Sequence, residues 1–94
     1  MKYILYWEFC PEDMDKIIPL FQKMGELRGT EGYPKGITPT YTIQGTTSGF
    51  TLYDVGDQSE ITNFYFHYHP ILKMKWKPIE ESSETVKIYM GTKK

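Results

Sequence analysis

The sequence predicts an α+β domain in which a strand, a helix, two strands, a second helix and a last strand follow one another, so that one layer of helices covers an antiparallel four-stranded sheet. Three observations carry this. From Leu72 to Lys77 the apolar residues Leu72, Met74 and Trp76 alternate strictly with Lys73, Lys75 and Lys77, which is the period of a half-buried strand. Directly upstream, the stretch 57–72 repeats its apolar residues at spacings of three and four, the period of an amphipathic helix. At the other end, residues 2–9 alternate before Pro11 opens a second helical pattern.

The first strand, 2–9, sets Tyr3, Leu5, Trp7 and Phe9 on one face and Lys2, Ile4, Tyr6 and Glu8 on the other. Both faces are largely apolar, which suits a central strand covered twice. One helical layer covers only one face, so the face with Ile4 and Tyr6 calls for a twin molecule packed against it. A homodimer is therefore expected.

Helix one follows Pro11, with Glu12 and Asp13 in its first turn, where acidic groups meet the positive end of the helix dipole. Its apolar stripe is Met14, Ile17, Ile18, Phe21 and Met24. Pro19 falls opposite that stripe and removes a backbone donor there, which predicts one kinked helix. The stretch 29–39 contains Gly29, Gly32, Pro34, Gly36 and Pro39 and reads as a long loop. Residues 38–44 form the second strand, with Tyr41 and Ile43 on one face and threonines on the other. Residues 45–49 make a hairpin connection, and 50–55 return as the third strand.

Helix two has Asp57 as N-cap and Glu60 three residues on, a capping-box arrangement. Its shared face is Ile61, Phe64, Tyr65, Tyr68 and Leu72, with Pro70 ending the helix before Leu72. The last core strand is the lysine-alternating segment, and the core of the single domain spans 1–81. The extension 82–94 fits a short helix through Val86, Tyr89 and Met90, and also an extra strand through Val86, Ile88 and Met90; Ser83 as a cap favours the helix.

The 94 residues make one domain, with a formal net charge of −1 that offers no overall attraction to nucleic acid or to an anionic membrane. No apolar run has the length of a membrane-spanning helix. Cys10, the one cysteine, cannot form an internal disulfide, and the N-terminus lacks the apolar region and cleavage site of a secretion signal, so a cytoplasmic protein is expected. Aromatic residues make up 16% of the chain, enough for flat rings to carry much of the packing and to line an interface or a cleft.

No motif names a chemistry. His67 and His69 lie two apart, so on a helix they point in nearly opposite directions and cannot share one ion; no metal and no cofactor are expected. Read blandly, they are half-exposed residues at a helix C-terminus, where positive charge is tolerated. Read as chemistry, they are the candidate proton-transfer residues, since only these two side chains titrate near neutrality unaided. Lys73, Lys75 and Lys77 suit an anion ladder less well than protection of an edge strand. The glycines of 29–36 lack the ending and flanking elements of a phosphate loop. Cys10 is read as a small packed thiol, and Asp54, Asp57 and Glu60 as turn and capping groups. The remaining lead is Trp7, Tyr41, Tyr53 and Trp76, four rings from four strands that could converge on a cleft beside the helices, as a small apolar or aromatic ligand would need, or simply fill the core.

The element order matches the ferredoxin-like arrangement, and with its doubly apolar first strand the sequence looks like the dimeric α/β-barrel superfamily. More closely, Met1, Lys2 and Tyr3 followed by Trp7 and Phe9, the pair Gly49 and Phe50, and Pro78 and Ile79 followed by acidic residues resemble the short proteins of domain-of-unknown-function family 3303. Where that family tends to have Trp and His in the middle strand and Trp in the second helix, this chain has Tyr41, Tyr65 and Tyr68. The resemblance implies a homodimer and supplies no reaction. Three functions are then open: a non-catalytic module binding a small apolar or aromatic molecule in a helix–sheet cleft; a cofactor-independent oxygenase or isomerase using His67 or His69, with Trp7, Tyr41 and Trp76 shaping the substrate; and a structural or partner-binding dimer without a pocket.

Overall fold

The structure is a computed structural model that describes residues 1–92. Its elements are β1 (Lys2–Glu8), α1 (Met14–Leu27), β2 (Lys35–Gly36), β3 (Tyr41–Thr42), β4 (Ser48–Asp54), α2 (Gln58–Tyr68), β5 (Lys73–Pro78) and α3 (Ser82–Thr92), with a single 3-10 turn, Pro11–Asp13, leading into α1. The architecture is mixed: three helices and one antiparallel sheet of five strands.

β1 lies at the centre, paired on one side with β4 (Leu5 opposite Thr51, Trp7 opposite Gly49) and on the other with β5 (Leu5 opposite Trp76, Trp7 opposite Met74). Its place is the central one expected, but only its front face, with Tyr3 and Leu5, is buried. β5 is an edge, and its three lysines are exposed.

The sheet has five strands rather than four because the loop expected over 29–39 contains β2, while the strand expected over 38–44 is reduced to β3. Both run along β4. Lys35 faces Asp54 and Tyr41 faces Phe50, so the pairing slips by two residues between them. The break falls around Pro39, which has no N–H for the ladder, and the backbone amides of Ile37 and Thr38 both turn to Leu52 O, at 2.8 and 3.4 Å. β2 and β3 are thus two halves of one interrupted edge strand. The following hairpin is closed by Ile43 N–H donating to Ser48 O at 2.9 Å, with Gly45 at φ +82°, a conformation glycine adopts without strain.

α2 begins at its expected cap: Asp57 Oδ1 accepts from Ser59 N at 2.8 Å, and hydrogen bonding from Ser59, its backbone first, holds the Asp57 carboxyl below its usual pKa. Glu60 reaches back to Gly56 N at 3.1 Å, one residue earlier than a capping box would place it. The C-terminal extension forms a helix, but it starts at Ser82, so Ser83 lies inside it. Residues 93–94 of that extension fall outside the described part.

The core sits between the front face of the sheet and helices α1 and α2. It is built from Tyr3, Leu5 and Tyr53 of the sheet, Ile17 and Met24 of α1, Phe64 and Tyr68 of α2, Val55 just after β4 and Leu72 just before β5. The apolar face of α1 is rotated relative to the stripe read from spacing. Ile17 and Met24 are buried with Leu20 and Leu27 packed beside them, while Met14, Ile18 and Phe21 stay 42–48% exposed. On α2, Tyr65 likewise faces solvent.

The rear of the sheet is largely open. Tyr6, Tyr41 and Ile43 are 45–50% exposed there, beside the partly covered Ile4, Phe50 and Leu52. Every residue of α3 is exposed, Val86, Ile88 and Met90 included. The Cα radius of gyration, 15.4 Å, exceeds the roughly 12 Å of a compact chain of this length, and the longest axis is 55 Å.

Candidate functional site

Between α1 and the front of the sheet lies a cleft of about 410 Å³. Its origin is a difference in side-chain size across the sheet. On β1 and β5 the front face carries Tyr3, Leu5, Trp7 and Trp76, which meet the helices. Across β4 and β3, beyond Tyr53, it carries Thr51 and Thr42, which are shorter and leave room beneath α1. The space left over is walled by Leu5, Trp7 and Phe9 of the first strand region, by Ile17, Ile18 and Phe21 of α1, and by Phe64 and Tyr68 of α2. Met14, Ile18 and Phe21 are half-exposed because they form the helical wall of this opening rather than a sealed core.

Gly49 allows Trp7 to lie where it does. A methyl group at position 49 would overlap the Trp7 indole and the Tyr41 carbonyl, so the flat ring crosses the strand only because its cross-strand partner has no side chain. Phe9 stacks on Trp7 at 6.1 Å between centroids, extending the aromatic wall. The Trp7 indole Nε1 is buried and lacks a hydrogen-bond partner in the described chain.

The floor is polar. Thr51 Oγ1 donates to Thr40 Oγ1 at 3.0 Å, and Thr42, Thr46 and Thr47 continue the hydroxyl edge toward the hairpin. Tyr53 and Tyr68 bring phenols into the same space. Burial pushes the Tyr53 phenol pKa up, partly offset by the Arg28 charge and by the hydroxyls of Thr40 and Thr51. Tyr68 is pushed up further, by burial and then by Tyr53. Both are therefore neutral hydrogen-bonding groups at ordinary pH. Among the described residues that line the cleft there is no carboxylate, imidazole, thiol, ammonium or guanidinium.

Arg28, at the end of α1, organises the outer side of this floor. Its guanidinium lies 5.1 Å from the Tyr53 ring centroid, covers Gly36, and donates through Nη2 to Thr38 O at 2.7 Å. The interrupted edge strand is thereby tied to α1.

Of the four rings singled out from sequence, Trp7 and Tyr53 line the cleft; Tyr41 and Trp76 do not. Tyr41 turns to the rear of the sheet and packs on Phe50 at 5.4 Å, because it is the threonines of its strand that face the helices. Trp76 is a packing residue, with Phe64 at 5.2 Å and Tyr53 at 5.6 Å. The histidines are also elsewhere. His67 Nε2 sits 2.8 Å from Leu20 O, and since a carbonyl only accepts, this nitrogen carries the proton and joins α2 to α1. His69 caps α2 and packs beside Tyr65 at 5.1 Å. Cys10 is exposed ahead of α1. Among the described residues no group of three His, Cys, Asp or Glu side chains is placed to hold a metal ion, and no helix is long and apolar enough to cross a membrane.

The residues that the sequence did not single out are the threonines, with Phe64, Tyr68 and the α1 wall. Their signal was present: Thr38, Thr40 and Thr42 alternate, as do Thr51 and Tyr53. What alternation leaves open is which face turns toward the helices.

No curated protein matches the chain. The sequence profile described as Domain of unknown function (DUF3303) matches residues 1–93, so nearly its whole length belongs to that family.

Proposed function

We propose that this protein is a homodimeric, non-catalytic module that binds a small apolar or aromatic molecule in the cleft between α1 and the sheet. One observation carries the reading: a roughly 410 Å³ space lined by Leu5, Trp7, Ile17, Ile18, Phe21 and Phe64, whose only ionisable lining groups among the described residues are two phenols, neutral at ordinary pH and the more so for their burial. Such a space rewards burial of an apolar surface and offers nothing that exchanges a proton near neutrality.

The dimer is supported by the rear of the sheet. Ile4, Tyr6, Phe50, Leu52 and Tyr41 form a contiguous apolar face opposite the cleft, and sheet-to-sheet packing against a second copy would cover it without closing the cleft. In that arrangement the interrupted edge strand, β4, β1 and β5 correspond to the four strands of a ferredoxin-like sheet, and two such sheets make a dimeric α/β barrel. The exposed apolar residues of α3 add to the surface available for the same assembly.

The test is titration with the neutral solvatochromic dye Nile red. Saturable binding with blue-shifted emission is expected, weakened at least about tenfold by Ile18→Glu, which places a charge in the apolar wall on a half-exposed helix position. Absence of saturable binding, or equal binding by the variant, overturns the cleft reading.

A further inference from the structure

Thr51 is the one buried polar residue among those described, 1% exposed in the middle of β4 and directly opposite Leu5. Valine has nearly the same shape and would occupy that position with no hydroxyl to satisfy. Here the hydroxyl is satisfied by another hydroxyl, that of Thr40, half-buried at the cleft floor. Tyr53 is next on the same face of β4, and its phenol is near enough for the Thr40 and Thr51 hydroxyls to offset part of the upward push of burial on its pKa. Three rotatable hydroxyls thus lie together in the cleft, each able to donate or to accept, and the rest of its polar lining is Gln22, Thr42, Thr46, Thr47 and Tyr68.

Resting on the reading of the cleft as a binding site, the geometry points to its ligand class: a neutral aromatic or alicyclic molecule bearing one hydroxyl or carbonyl, whose polar atom docks on Thr40, Thr51 and Tyr53 while its ring lies between Leu5, Ile17 and Phe64. A hydrocarbon without that polar atom would strand the cluster partly unsatisfied. A carboxylate or an ammonium would lose its hydration without meeting a counter-charge in the lining. Arg28 lies outside the cleft wall and donates to Thr38 O, so it offers a carboxylate no direct ion pair; its charge, felt at the Tyr53 phenol, favours a neutral head group that accepts there.

The experiment is displacement of Nile red from the full chain at neutral pH by three molecules sharing one body: para-ethylphenol, ethylbenzene and para-ethylbenzoate. The phenol is expected to bind about tenfold tighter than either of the others, the worth of roughly one good hydrogen bond. In the double variant Thr40→Val, Thr51→Val its affinity is expected to fall about tenfold, to that of ethylbenzene. Tyr53→Phe, which keeps the ring, is a second variant expected to narrow the same gap if the double variant does not fold. Equal affinity for the phenol and the hydrocarbon, or tightest binding of the benzoate, overturns the head-group assignment while Nile red binding leaves the cleft standing. Failure of Nile red itself to bind overturns the cleft and this inference with it.

Discussion

Trp7 and Gly49 face each other across the β1–β4 ladder, and the indole of the first rests where the second has no side chain. Through this pairing Trp7 takes its place in the cleft wall. Adding a methyl group there brings it against the Trp7 ring and also against the Tyr41 carbonyl, which is backbone and moves only with β3. Gly49→Ala is therefore expected to destabilise the domain by about 1–3 kcal/mol and to change the Trp7 emission. Denaturant unfolding followed by fluorescence checks both, and a variant as stable as the parent would show that the edge strand yields freely.

His67 is placed as a clamp between helices. Removing the bond from its Nε2 to Leu20 O, as in His67→Ala, is expected to cost about 1 kcal/mol and to leave Nile red affinity unchanged. A large loss of ligand affinity at unchanged stability would instead put the imidazole in the site.

The buried phenols make stability depend on alkaline pH. Tyr53 and Tyr68 have folded-state pKa values above the ordinary 10.0, so in the unfolded chain they release protons first. Between the unfolded and the folded pKa the unfolded state binds fewer protons, and stability falls as pH rises. It is fully present below about pH 10 and is lost above it at up to about 1.4 kcal/mol per pH unit for each phenol. Tyr68→Phe is expected to flatten that slope, measured as urea midpoints across the alkaline range. Arg28→Met removes the charge that opposes the Tyr53 shift and is expected to move the Tyr53 titration, followed by tyrosinate absorbance, further up.

The apolar rear face predicts self-association. At micromolar concentration the chain is expected to sediment as a dimer, and Tyr6→Glu, which places a carboxylate on that face, is expected to sediment as a monomer. A lone protomer for the parent chain would remove the sheet-to-sheet arrangement.

Much of the fold is legible in residue order. The lysine alternation places β5, the doubly apolar run places β1 at the sheet centre, and Asp57 marks where α2 starts, because each signal is a local period or a local hydrogen bond. The interrupted edge strand was not legible, since Lys35 and Gly36 pair with β4 for reasons of register and have no period of their own in a two-residue strand. The candidate site was half legible. Four rings were drawn from four strands, and two of them reach the cleft.

The sequence by itself determined the types of the main helices and strands, the family and the alternation that puts Thr40 with Thr42 and Thr51 with Tyr53. Only the tertiary structure decided which of the two faces meets the helices, because alternation has period two and is indifferent to direction. That choice sends Tyr41 to the rear and the threonines to the front, and short side chains opposite α1 are what leave the cleft open.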